Sequence, residues 1–139
     1  MSSSSSQAYV QEKRPVEGSI AGVMLIIAGA FGLADSWLLL VSPIIFGWFV
    51  VGAIGVFSLA TGFGLMSGAE WAWSGAVLAS VVNIFVGFIE LLGAFNIYFV
   101  ITGLTIWGEL IGAGTLIASI IAIVLLYRPS VQSYYEQYT

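Results

Sequence analysis

Cysteine and histidine are both absent from the 139 residues, and lysine and arginine together number three. Without cysteine there are no disulfides, no thiolate nucleophiles and no thiolate metal ligands. Without histidine there is no imidazole for acid–base chemistry, zinc or haem. The lack of cysteine also leaves the redox compartment unmarked. The three bases, Lys13, Arg14 and Arg128, are too few and too scattered to neutralise a run of phosphates, so nucleic acid is excluded as a partner.

Charge of either sign is scarce. Charged residues make up 7% of the chain while 60% is hydrophobic, against about a quarter charged and about half apolar in an ordinary soluble domain. A water-soluble fold of this length could not cover its surface with so few charges, which makes lipid the expected solvent. The net charge of -4 says little about an acidic surface, because three of the seven acids fall inside apolar segments. The three prolines, Pro15, Pro43 and Pro129, stand only at segment ends, where a helix tolerates them.

What is abundant is apolar sequence, in four long segments: Gly18 to Val41, Ile44 to Met66, Trp73 to Val100 and Thr105 to Tyr127. Each exceeds the roughly 20 residues a helix needs to cross a hydrocarbon core of ~30 Å. The linkers Ser42–Pro43, Ser67–Glu70 and Thr102–Gly103 are short enough to make successive helices antiparallel neighbours. A β-barrel would alternate apolar and polar residues, whereas Ile20 to Ile27 and Ile117 to Leu126 are nearly unbroken apolar runs. The expected fold is all-α, an antiparallel bundle of four transmembrane helices over residues 17–128. Residues 1–16 read as a disordered polar tail without the order of a secretory signal, which leaves the first helix in place. Residues 129–139 read as a short aromatic tail, mobile or laid against the interface or a partner. The three bases flank the bundle on one side, so both ends are expected to be cytoplasmic in a cell membrane. Trp37, Trp48, Trp71, Trp73, Trp107, Tyr98 and Tyr127 fall near the expected interfaces.

Gly62-Phe-Gly-Leu-Met-Ser-Gly-Ala-Glu-Trp-Ala-Trp73 and Leu125-Leu-Tyr-Arg-Pro-Ser-Val-Gln-Ser-Tyr-Tyr135 resemble a loose group of small prokaryotic four-helix integral membrane proteins of unknown function. In that group a glycine-rich end of the second helix leads through a short turn to a Trp-Ala pair, and the fourth helix exits through an Arg-Pro-Ser-Val-type stretch. The turn departs from the pattern, with Ala69–Glu70 where the group has a base before the tryptophan. The resemblance implies architecture and no activity.

Seventeen glycines call for close helix packing, since helices in lipid gain little from apolar burial against each other. Gly18, Gly22, Gly29, Gly32 and Ser36 share a face of the first helix. Gly55, Ser58 and Gly62 do so on the second, and Gly108, Gly112, Thr115 and Ser119 on the fourth. These faces suit packing within the bundle; alternatively, Gly18-xxx-Gly22 or Gly64-xxx-Gly68 could form a face for a second copy or another subunit.

Asp35, Glu90 and Glu109 are the most informative residues. Each lies within an expected span, where an ionisable group costs several kcal/mol unless paired or neutral. Counted from the segment ends, all three lie roughly 6 to 15 Å below the outer surface, in one leaflet. Ser80, Asn83, Gly87, Glu90 and Ala94 recur at spacings of three and four and so share one side of the third helix. Asp35, Asn83, Glu90 and Glu109 therefore form a candidate intramembrane polar site, with its polar atoms expected to face inward. Three roles remain open: hydrogen bonding that holds helices in register, a proton or hard-cation site, and pairing with a base on another subunit. An enzyme is not expected, since no nucleophile–base pair or phosphate loop accompanies the acids, and no cofactor or resident metal is expected. The reading that remains is an accessory or scaffold component of a membrane assembly. The alternative is an oligomeric protein that binds or transports a cation or proton through its carboxylates. The partners implied are the lipid bilayer and either further copies of the chain or other membrane subunits.

Overall fold

The computed structural model describes residues 15–39, 47–91 and 105–136. Four long helices, α1 (Val16–Leu39), α2 (Gly47–Ser67), α3 (Ala72–Leu91) and α4 (Thr105–Leu126), are followed by a short one, α5 (Pro129–Glu136). The long helices have 20 to 24 residues, or about 30 to 36 Å of length, and each is apolar enough to cross a membrane. Among the described residues there is no strand. The fold is an all-α four-helix bundle. In it α1 and α3 each lie between α2 and α4 and approach each other across the diagonal. The leader 1–14, the linkers 42–43 and 102–103, the expected continuation of α3 with Ala94 and Tyr98, and the last three residues lie outside the described residues. So do the side chains of Trp48 and Trp107 and the surroundings of Gly108.

The bundle has the reverse of a soluble protein's composition. Many of its buried positions are small or polar, among them Ala28, Ala76, Ala79, Ser58, Ser80, Asn83 and Ser119, beside a few larger apolar ones such as Leu25, Leu65 and Leu126, while Phe49, Phe63, Phe85 and Ile117 stand exposed. Phe85 keeps 65% of its surface outside. In water such an exterior would aggregate. In lipid it costs nothing, and close approach of small residues is what joins helices. The protein is a multi-pass membrane protein.

Glycines set the α1–α2 contact. A Cβ placed on Gly22 would lie 2.8 Å from the Gly62 carbonyl oxygen, and one on Gly29 would lie 2.7 Å from that of Gly55. These pairs run in opposite directions along the two helices, which makes them antiparallel. Gly62 and Gly55 in turn face Gly22 and Gly29, and Gly32 packs on Gly55. Of the two GxxxG candidates, one glycine of each is packed within the chain: Gly22 faces α2, and Gly64 is covered by Ala72 and Trp71. Gly18 departs from the packing expectation. Nothing comes nearer than 3.8 Å to a Cβ there, and its neighbours are Tyr135 and Pro15 rather than another long helix.

The α2–α3 turn is a Schellman motif. Gly68, at φ 77°, ends α2 while Ala69 N donates to Gly64 O and Gly68 N to Leu65 O. At the other boundaries the structure corrects two expectations. Helix α1 begins at Val16, one residue before the expected start at 17, with Gly18 N bonded to Pro15 O. The aromatic tail, expected to be mobile or laid on the interface or a partner, instead folds over residues 129–136 into α5, which buries Val131, Tyr134 and Tyr135 against the end of the bundle. Burial of three apolar side chains and one distant hydrogen bond hold it there, and neither is visible in a stretch of mixed polarity.

Candidate functional site

Asp35 projects from α1, one turn beyond the Gly32–Gly55 contact, and Glu90 from α3. They meet across the diagonal of the bundle, each carboxyl group within interaction range of the other. Both are buried, at 1% and 5% exposure. Two features of the helices allow this. On α1 and α3 the buried positions near the pair are mostly small, among them Ala28, Ser36, Ser80 and Asn83. On α4, Gly112 leaves a notch that the Glu90 side chain fills: a Cβ on Gly112 would sit 2.9 Å from Glu90 Cβ and 3.1 Å from its Oε2.

Neither oxygen of Asp35 nor Oε2 of Glu90 is met by a hydrogen-bond donor. Two acceptor groups therefore face one another in a low-dielectric interior. Such an arrangement is stable only with a proton or a cation between them. The one base among the described residues, Arg128, follows α4 at the opposite end. No group of three or more carboxylates, histidines or cysteines converges among those residues. Two facing carboxyl groups supply the oxygen ligands that suit a proton or a hard cation.

Asn83 lies two turns from Glu90 on the same side of α3 but is engaged elsewhere. Its Nδ2 donates to Ser58 Oγ at 2.6 Å and to Ala79 O at 2.8 Å, while Ser58 Oγ donates to Ile54 O at 2.8 Å. Asn83 thus ties α3 to α2 next to the carboxyl pair without forming part of it. Glu109 is not brought to the site at all. It follows Gly108 by one residue, about 100° further round the helix, and lies on the exposed side of α4 beside Leu110. The expectation that its carboxyl faces inward is corrected by that rotation.

Two buried hydroxyls complete the interior. Ser80 Oγ on α3 and Ser119 Oγ on α4 have no hydrogen-bond partner. The register in which Trp73 meets Leu126 and Gly87 meets Gly112 places them at the same level. Neither stood out as more than a small residue in a stripe; the level they share depends on the register between helices. Compared with family models, with curated proteins and with solved structures, the chain has no match.

Proposed function

We propose that this is a non-enzymatic membrane protein that binds and releases a proton, or a small monovalent cation in its place, at the Asp35–Glu90 pair. The observation that carries the reading is the meeting of two buried carboxyl groups with no donor between them. The three bases Lys13, Arg14 and Arg128 support a cell-membrane orientation with both ends cytoplasmic. That puts the carboxyl pair nearer the outer face. Both stretches that resemble the small prokaryotic four-helix group lie at the α5 end, and membership of that group fits this reading.

The test is infrared spectroscopy of the protein reconstituted in lipid. A protonated-carboxyl band is expected that shifts or weakens in Asp35→Asn and in Glu90→Gln and is lost when both are changed. A band that falls on addition of Na⁺ identifies the cation as a competing occupant. If the unaltered protein shows no such band and no response to Na⁺, the reading is wrong.

A second reading, an accessory subunit of a larger membrane assembly, is favoured by Glu109. An acid on the outside of a spanning helix is costly in lipid, and a base on a neighbouring subunit would offset that cost. Extraction in mild detergent tests it: a large particle with other polypeptides, dissociated by Glu109→Gln, supports an assembly. A small particle unaffected by that change rejects it.

A further inference from the structure

At the end opposite the carboxyl pair, a cavity of about 210 Å³ lies between the start of α3 and α5. Glu70, Trp73 and Ser74 line it from the α2–α3 turn and the first turn of α3, and Gln132, Tyr135 and Glu136 line it from α5. Tyr135 is buried, Trp73 and Gln132 are half-buried, and Glu70, Ser74 and Glu136 are exposed. The aromatic rings therefore lie deep and the two carboxylates at the rim. No lysine or arginine is among the lining residues.

Both rings are fixed by their polar ends. Trp73 Nε1 donates to Leu126 O at 2.8 Å and the Tyr135 hydroxyl to Leu65 O at 2.7 Å. Tyr127 meets Trp73 edge-on, and Tyr134 meets Tyr135 in the same way. With those donors taken, the rings offer the cavity hydrocarbon and π surface. The Ser74 hydroxyl donates to Trp71 O, which leaves its oxygen as an acceptor beside the carboxylates and the Gln132 amide oxygen. Ring faces and carboxylates together attract a cation, and acceptors in this number suit one that carries N–H donors. The space equals about seven waters at ~30 Å³ each, enough for an aminoethyl group.

The level of the cavity points to the source of that cation. It lies where α2 and α4 end and α3 begins, at the limit of the spanning segments. Trp71 and Tyr127 stand exposed beside it, as amphipathic rings do at the membrane–water interface. The ammonium groups that a bilayer presents at this level belong to its headgroups. We propose that the cavity binds the primary ammonium of an ethanolamine phospholipid in that leaflet. Glu70 and Glu136 accept its N–H groups, and Trp73 and Tyr135 wall its methylenes. The site shares no residue with the Asp35–Glu90 pair, so each reading can fail without the other.

Native mass spectrometry of the full chain tests this, with the protein in mild detergent titrated with phosphatidylethanolamine or phosphatidylcholine of the same acyl chains. One phosphatidylethanolamine is expected to stay bound under conditions that strip phosphatidylcholine. The double variant Glu70→Gln/Glu136→Gln is expected to bind it about tenfold more weakly, through the loss of charge-assisted hydrogen bonds. Ser74→Lys, at an exposed rim position, brings an ammonium of its own and is expected to displace the lipid while both carboxylates remain. Should the glutamine variant fail to fold, the lysine variant decides. Equal retention of the two lipids means a non-specific annulus and overturns the proposal, as does retention that neither variant weakens. A third variant, Lys13→Gln/Arg14→Gln, separates the lipid from the chain's own bases. These precede Pro15, which neighbours Gly18 as Tyr135 does. Binding that appears only in that variant means the bases fill the cavity, and overturns the proposal as well.

Discussion

The hydroxyl of Tyr135 donates to the carbonyl oxygen of Leu65 at 2.7 Å, across 70 residues of sequence. Leu65 is in the last turn of α2, where its carbonyl already accepts from Gly68 N, so the Tyr135 hydroxyl from α5 is a second donor to the same oxygen. Close by, Trp73 Nε1 donates to Leu126 O at 2.8 Å, and its ring meets Tyr127 edge-on at 5.6 Å. The two stretches that carry the resemblance, 62–73 and 125–135, thus form one structural unit that closes the bundle at the end opposite the carboxyl pair.

Tyr135→Phe removes that bond and keeps the ring. A loss of about 0.5–1.5 kcal/mol is expected, concentrated on α5. Hydrogen exchange should show faster exchange at residues 131–136 with α1–α4 unchanged. Equal acceleration through α2 would mean that α5 supports the whole bundle rather than its end.

Gly62→Ala and Gly29→Ala should cost more than Gly18→Ala. A Cβ at Gly62 would lie 2.7 Å from the Gly22 carbonyl, and backbone there cannot turn aside as a side chain can. Forcing the helices apart costs about 1–3 kcal/mol, as overpacking does. At Gly18 the nearest atom is 3.8 Å away, so alanine is expected to be neutral or slightly stabilising. Unfolding in mixed detergent micelles ranks the three, and equal losses would contradict the glycine account of the α1–α2 contact.

Asn83→Ala and Ser58→Ala form a double-mutant cycle on the α2–α3 hydrogen bond. Interhelical bonds of this kind in membranes average about 0.6 kcal/mol, so a coupling of that order is expected. Zero coupling would show that the 2.6 Å contact adds nothing beyond packing.

The four spans follow from hydropathy alone, because a stretch of 20 apolar residues has few other uses. The row Ser80–Asn83–Gly87–Glu90 is equally legible, since spacing along one helix fixes which residues share a side. Which acids meet is not legible in that way. Asp35 and Glu109 each adjoin a small-residue stripe in the sequence, yet Asp35 turns inward and Glu109 outward. That outcome depends on the rotation of each helix about its own axis, fixed by contacts such as Gly32–Gly55 and Gly87–Gly112, which join residues far apart in the chain. Helix α5 escapes a hydropathy reading for a different reason: eight residues are too few to span, and its hold on the bundle lies in Val131, Tyr134 and Tyr135.

Gly112→Ala should act on the carboxyl pair through Glu90. The added methyl would fall 2.9 Å from Glu90 Cβ and 3.1 Å from Oε2, so the side chain must leave the notch and draw back from Asp35. The protonated-carboxyl band is expected to shift or split while the helix content stays the same. Glu90→Asp in the same chain shortens the side chain by one methylene and makes room for the methyl. The double variant should therefore lie nearer the unaltered protein than the sum of the single changes. If the two effects simply add, Gly112 does not position Glu90, and contact with α4 has no part in bringing the two carboxyl groups together.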